Sequence, residues 1–268
     1  FGYLHRGSEK LAEERNYVQV LTLTDRLDYV ASMTNNQGYC LAVEKLMEIE
    51  VPKRGLYLRV MAAELQRVAS HLIAVGFILQ DLGALATPLM YAFRIREKIL
   101  DLFEMLCGAR ITVSYMRPGG VFADAPEDFW PALDRLLDEA PVLIEELEQL
   151  IMKNEIVLVR TKNVGILPLE TAIANSVSGP VLRASGLAWD WRKADPYDIY
   201  DELEFETPIG ERGDNYDRFR VRVEEVKQSL GMVRQCRDRM PSGPVRAELP
   251  FILRPLPGRE AYGRVEAP

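Results

Sequence analysis

The stretch Val60–Leu82, VMAAELQRVASHLIAVGFILQDL, decides the fold. Its apolar residues include Val60, Met61, Leu65, Val68, Leu72, Val75, Leu79 and Leu82. At 3.6 residues per turn they cover more than one stripe, and a helix apolar on several faces belongs at the centre of a bundle. The spacing predicts a helix from about Pro52, ending before Gly83. The run from Val68 to Ala86 has the length of a membrane span. Ser70, His71, Gln80 and Asp81 interrupt it, and no basic or aromatic anchors flank it. A buried helix is therefore the expectation.

Working outward, a long helix is expected from an N-cap at Thr24 to about Glu48. Val51-Pro52 would break it, because proline pushes the residue before it out of helix. Thr87-Pro88 reads as a cap plus a first-turn proline, opening a helix that ends near Gly108. The turn Arg117-Pro118-Gly119-Gly120 follows. A further helix is expected over 126–154, kinked or split at Pro141, with Glu145, Glu146 and Glu148 on a solvated face. Residues 155–212 read as irregular, with a short helix at Leu169–Asn175 and a strand or two. Phe219, Val223, Val226, Leu230 and Val233 step by three and four, predicting a last long helix over 215–239. The expected fold is mainly α: one helical bundle domain over 1–240, then a proline-rich extended tail over 241–268. There is no internal repeat and no low-complexity segment.

A chain of 268 residues, nearly half of them hydrophobic, can bury a substantial core. Its net charge of −7 argues against nucleic-acid binding, which favours a basic face. Cys40, Cys107 and Cys236 are far apart and form no CxxC pair, which excludes a local metal motif and suggests a reducing compartment. No signal peptide is visible. The chain begins at Phe1 without methionine, and is read as an internal piece of a longer protein.

Near the start stands Tyr3-Leu4-His5-Arg6-Gly7-Ser8-Glu9-Lys10-Leu11-Ala12-Glu13. With LTDRLDY, LAVEKLM, ELQRVASH, DLGAL, YMRPGGV, LRASG and GERGDNYDR, it resembles the D-type subunit of proton-pumping NADH–quinone oxidoreductase, respiratory complex I. The resemblance extends along nearly the whole chain. It implies the fold of the large subunit of nickel–iron hydrogenases, here with irregular insertions. A hydrogenase itself would need two CxxC pairs for its metals, and only Cys40 occurs where the first pair belongs.

The resemblance implies a quinone-reducing subunit of a respiratory enzyme, coupled to proton translocation. NADH and the iron–sulfur cluster would be held by partner subunits, and quinone would be the substrate. Its partners would be the iron–sulfur-cluster subunit, other peripheral-arm subunits and a membrane-arm subunit, with no nucleic acid. Its place would be peripheral, on the cytoplasmic side of the inner membrane. Quinone reduction needs a proton donor at each carbonyl oxygen. Tyr29, taken to lie on the first long helix, is the implied head-group donor. Asp81 is the second implied catalytic and quinone-binding residue, paired with a histidine that also touches the quinone and is carried by a loop upstream of Phe1. Arg26, three residues before Tyr29, is implied near the partner's cluster; a surface ion pair with Asp25 or Asp28 is the alternative.

Many members carry a histidine near that cluster where this chain has Thr112. An alignment with one extra residue near Ala86 relative to some members places it so. A lower cluster potential, suited to a low-potential quinone such as menaquinone, is expected. Glu64, Arg67 and His71 form a polar stripe on the central helix. It reads either as mutually satisfied buried charge or as a proton path or contact to the cluster subunit. His5 reads as lining an interface or cavity, or as capping. No metal ligands are assigned, and the charged segments Arg183–Gly186 and Gly210–Asp214 are read as loops in subunit contacts.

Overall fold

The computed structural model describes residues 2–84 and 87–268; the end of the apolar run, at Leu85 and Ala86, lies outside them. It is mainly α with one small antiparallel hairpin. The helices of the first half are α1 (Ser8–Glu13), α2 (Tyr17–Thr24), α3 (Ser32–Met47), α4 (Lys53–Asp81) and α5 (Thr87–Cys107). The hairpin is β1 (Met116–Arg117) with β2 (Gly120–Val121). Then come α6 (Phe129–Met152), α7 (Glu155–Thr161), α8 (Leu169–Ala174), α9 (Gly179–Ala184), α10 (Trp191–Ala194) and α11 (Asn215–Asp238).

Helix α4 is the axis. Every residue from Tyr57 to Leu72 is buried, as its all-round apolar pattern requires. Its chief neighbours are α11 and α5, with α3 along one side. The helix is long and apolar enough to cross a membrane, yet most of it is covered by the protein's own elements. It stops where the Leu82 amide bonds back to Ile78 and Gly83 turns to φ +85°, a left-handed turn that favours glycine.

The first long helix begins at Ser32 rather than after Thr24, and a separate helix precedes it. Asn16 and Gln19 form a capping box that starts α2 eight residues before Thr24, and two donors at the helix end are thereby satisfied. Thr24 is the last residue of that helix, not its cap. Its hydroxyl bonds Asn36 Oδ1 at 2.7 Å, tying the end of α2 to α3. Asp28 then accepts from the Val30 amide and breaks the helical path. Helix α6 runs unsplit through Pro141. It lies antiparallel to α11, with Asp134–Arg237, Asp138–Arg234 and Glu148–Lys227 paired in reverse order.

The tail from Pro241 is extended, without helix, and lies against the bundle. Gly55 and Gly120 let its backbone approach: an added Cβ would stand 2.5 and 2.1 Å from the Val245 carbonyl oxygen. Near its end Glu266 is buried.

Candidate functional site

Residues 25–31 form a tight turn between α2 and α3, so Tyr29 stands on a turn rather than on a helix. Several bonds fix that turn. Ser32 Oγ donates to the Asp25 carbonyl at 2.8 Å, and Asn35 to that of Asp28 at 3.3 Å. From α4, Gln66 donates to the Val30 carbonyl at 2.8 Å. On this anchored backbone the Tyr29 side chain is 73% exposed. Leu27 beside it is exposed too.

Arg26 pairs with Asp25 at 2.7 Å and donates to the Thr22 carbonyl, which is the ion-pair alternative for this residue. Asp25 is buried. Burial raises its carboxyl above the ordinary range, against the opposing pull of Arg26 and, more weakly, Arg117. Arg117 thus acts on the same carboxylate as Arg26, a relation between residues far apart in the chain. The Arg-Pro-Gly-Gly turn that carries Arg117 is the one local signal of it. Arg6 donates to the Arg26 carbonyl at 2.6 Å. The N-terminal signature is therefore fastened to the turn that carries Arg26 and Tyr29. His5 is exposed and pairs with Glu9 at 2.7 Å.

Thr112 is half-buried at φ +52°, its hydroxyl donating to the Ile111 carbonyl at 2.7 Å. It stands four residues before β1. Asp81 is exposed at the last turn of α4. Gln66, which holds the Tyr29 turn, precedes it by fifteen residues, roughly 22 Å of helical rise. Among the described residues no hydrogen bond joins Asp81 to Tyr29. The two stand at different levels of the bundle.

The polar stripe of α4 is an interior ion network. Glu64 accepts from Arg67 and Arg192, from Tyr200 Oη at 2.6 Å and from Ser229 Oγ at 2.7 Å. Burial alone would raise its carboxyl, but the two guanidiniums outweigh it and hold the group at about 2. His71 leaves the stripe and meets Glu225 of α11 at 2.7 Å. Burial pushes the imidazole below its ordinary range, and since an ionised carboxylate can only accept, Nε2–H is the donor of this bond. Burial would likewise raise Glu225, but His71 and Arg183 hold it down. Arg183 bonds Glu225 at 2.6 Å and Glu266 at 2.8 Å. That residue lies in helix α9 and is fully buried, so the loop-contact reading of its segment is corrected: its charge is spent inside the fold.

A second network has almost no signature in the sequence. Glu44 of α3 accepts from Arg59 of α4 through both oxygens and from the Gly119 amide at 2.6 Å. Arg59 in turn donates to the carbonyls of Gly120 and Arg117. This buried pair clamps the hairpin and so fixes the segment bearing Arg117. Only Arg59's position inside an apolar run hints at it.

Fold and site together define a mainly α protein with a charged interior and a rigid turn that presents a phenol and an arginine to the outside. A family model described as the 49 Kd subunit of respiratory-chain NADH dehydrogenase matches residues 81–267. The D-type subunit of the NADH-quinone oxidoreductase of Dehalococcoides mccartyi strain 195 is 56% identical over the whole of this chain and 73% of its own length. A D-type subunit of the same enzyme from Roseiflexus sp. strain RS-1 is 51% identical, again over all of this chain and 74% of its own. That of Clostridium beijerinckii is 47% identical over 99% of this chain and 71% of its own. The chain belongs to the family of the D-type, or 49 kDa, subunit of NADH–quinone oxidoreductase, a part of the complex I enzyme.

Proposed function

We propose that this subunit forms one wall of the quinone head-group site of a membrane-associated complex, next to an iron–sulfur cluster of a neighbouring subunit. The observation that carries the reading is the exposed Tyr29 on a backbone held by Gln66, Ser32 and Asn35. A solvent-facing tyrosine on a turn anchored from two helices is preorganised to meet something outside the chain. Its phenol O–H donates a hydrogen bond to a quinone carbonyl oxygen.

The neighbouring subunit's cluster would supply the electrons; the residues of this chain orient the quinone and donate protons. Arg26, half-exposed beside Asp25, places positive charge at the cluster side and favours its reduced, more negative form. Asp81 serves from the end of α4 by orienting a proton-donating histidine. With Thr112 in place of an imidazole, the cluster potential is low and independent of pH, which suits a low-potential quinone. Coupling to proton translocation follows in the membrane arm.

Tyr29→Phe in the assembled complex tests the reading. Quinone reduction falls by about 100-fold, the scale of a lost proton donor, while electron transfer from NADH to an artificial acceptor is retained. Unchanged quinone reduction would leave Tyr29 as surface packing. Thr112→His supplies a second check, since an EPR redox titration should then find a higher, pH-dependent cluster midpoint.

A further inference from the structure

The surface made by α7, the loop after it and the start of α11 differs from the rest of the molecule in how its charges are spent. On the α6–α11 flank, Lys227, Arg234 and Arg237 each face a carboxylate. Arg160, Lys162, Arg212, Arg218 and Arg222 do not: among the described residues, none has a carboxylate oxygen within 4.0 Å. Their contacts are neutral. Arg160 donates to the Leu82 carbonyl, Arg212 to Asn163 Oδ1, and Arg218 to the Gly165 and Gly213 carbonyls. Lys162 lies 4.7 Å from the Tyr216 ring centroid.

Two of the nearby acids are used inward, while Glu155 at the start of α7 stays exposed. Asp214 is buried, accepting from the Asn163 and Asp217 amides. Asp217 is buried too, accepting from the Glu211 and Arg212 amides. Glu211 is the one exposed carboxylate between residues 209 and 222. A chain of net charge −7 thus carries a locally positive face.

The same face is apolar. Val159 is 78% exposed, and Ile156, Val164 and Ile166 are exposed beside it. Only Val157 and Thr161 of α7 turn inward. The backbone beneath is fixed: Asn154 caps α7, the Asn215 amide donates to Val164 and the Leu167 amide to Gly213. An exposed aliphatic patch on a rigid frame, edged by unpaired guanidiniums, has the make-up of an interface.

We infer that this face docks onto an acidic surface with an apolar centre on another subunit of the same complex. Four of the five cations are arginines, and bonds to carbonyl and amide oxygens hold them in place. Fixed planar forks suit carboxylates better than a fluid headgroup layer. The apolar members are branched aliphatics, without the Trp or Phe that membrane-surface helices favour. The inference rests on membership of the complex and not on the quinone reading.

Lys162→Glu/Arg212→Glu, introduced into the intact complex, tests it. Neither side chain holds a buried group. The fraction of this subunit recovered in assembled complex drops by about tenfold relative to the parent, and the loss deepens with added salt. Recovery equal to the parent at low and high salt overturns the inference. A photo-crosslinking side chain at Val159 or Val164 in the otherwise native complex keeps the test independent of folding. Adducts on an acid-rich segment of another subunit support docking; adducts on lipid, or on no other subunit, overturn it. Tyr29→Phe leaves assembly intact, so the two readings fail separately.

Discussion

Two stretches of α4, one helical rod, behave in opposite ways. From Arg59 to His71 its charges are sealed inside and each meets a partner. From Phe77 to Asp81 it exposes Phe77, Ile78 and the Asp81 carboxylate. The inner stretch gives the fold its uniqueness, because a buried ion that loses its partner is costly. The outer stretch, like the Tyr29 turn, adds little to the stability of the chain and is free to serve a ligand or a neighbour. Polar residues of one helix thus divide by what surrounds them, not by chemical type.

The sharpest way to break this contrast is Glu64→Ala. It leaves the buried Arg67 without a carboxylate and Arg192 with Asp190 alone, and chemical denaturation of the complexed subunit should register a loss of about 3–5 kcal/mol. An unaltered midpoint would show that the interior network is dispensable. Acid titration comes next. The Glu64 carboxyl is lowered from 4.5 to about 2 on folding. Its contribution is therefore complete above pH 4.5 and is lost as pH falls toward 2, on the order of 3 kcal/mol. Glu64→Gln should flatten the stability profile in that window. A smaller effect is expected from Asn16→Ala, which removes the cap of α2; about 1 kcal/mol, read from thermal unfolding. The smallest belongs to the outer region: Tyr29→Phe and Asp81→Asn should each shift stability by less than about 0.5 kcal/mol. A larger shift would move either residue into the structural class.

The sequence made α4, α5, α6 and α11 legible because each carries a long apolar period bounded by proline or glycine. It misled at Thr24. A threonine before apolar residues resembles a cap, and the Asn16–Gln19 box eight residues earlier is a short signal that only the folded turn confirms. The interior network was legible by half. Glu64, Arg67 and His71 could be placed on one rod. Their partners could not, since Arg192, Tyr200 and Ser229 lie 128, 136 and 165 residues from Glu64, and nothing local announces such pairings. Arg183 sits among glycines and so resembles a loop residue, although its helix buries it. Tyr29 and Asp81 became candidates through family motifs; nothing in the residues around them sets them apart from ordinary surface groups.

The extended tail sets a timetable for the protein. Arg67 donates at 2.6 Å to the Glu266 carbonyl, 199 residues further along the chain. At the usual pace of synthesis that oxygen is made roughly 10–40 s after Arg67 itself. Throughout that interval the central helix of the molecule carries a guanidinium with part of its bonding missing. The strip 241–268 acts as a latch: until it closes over α9 and α10, water cannot leave the centre of the bundle without leaving guanidinium donors unbonded.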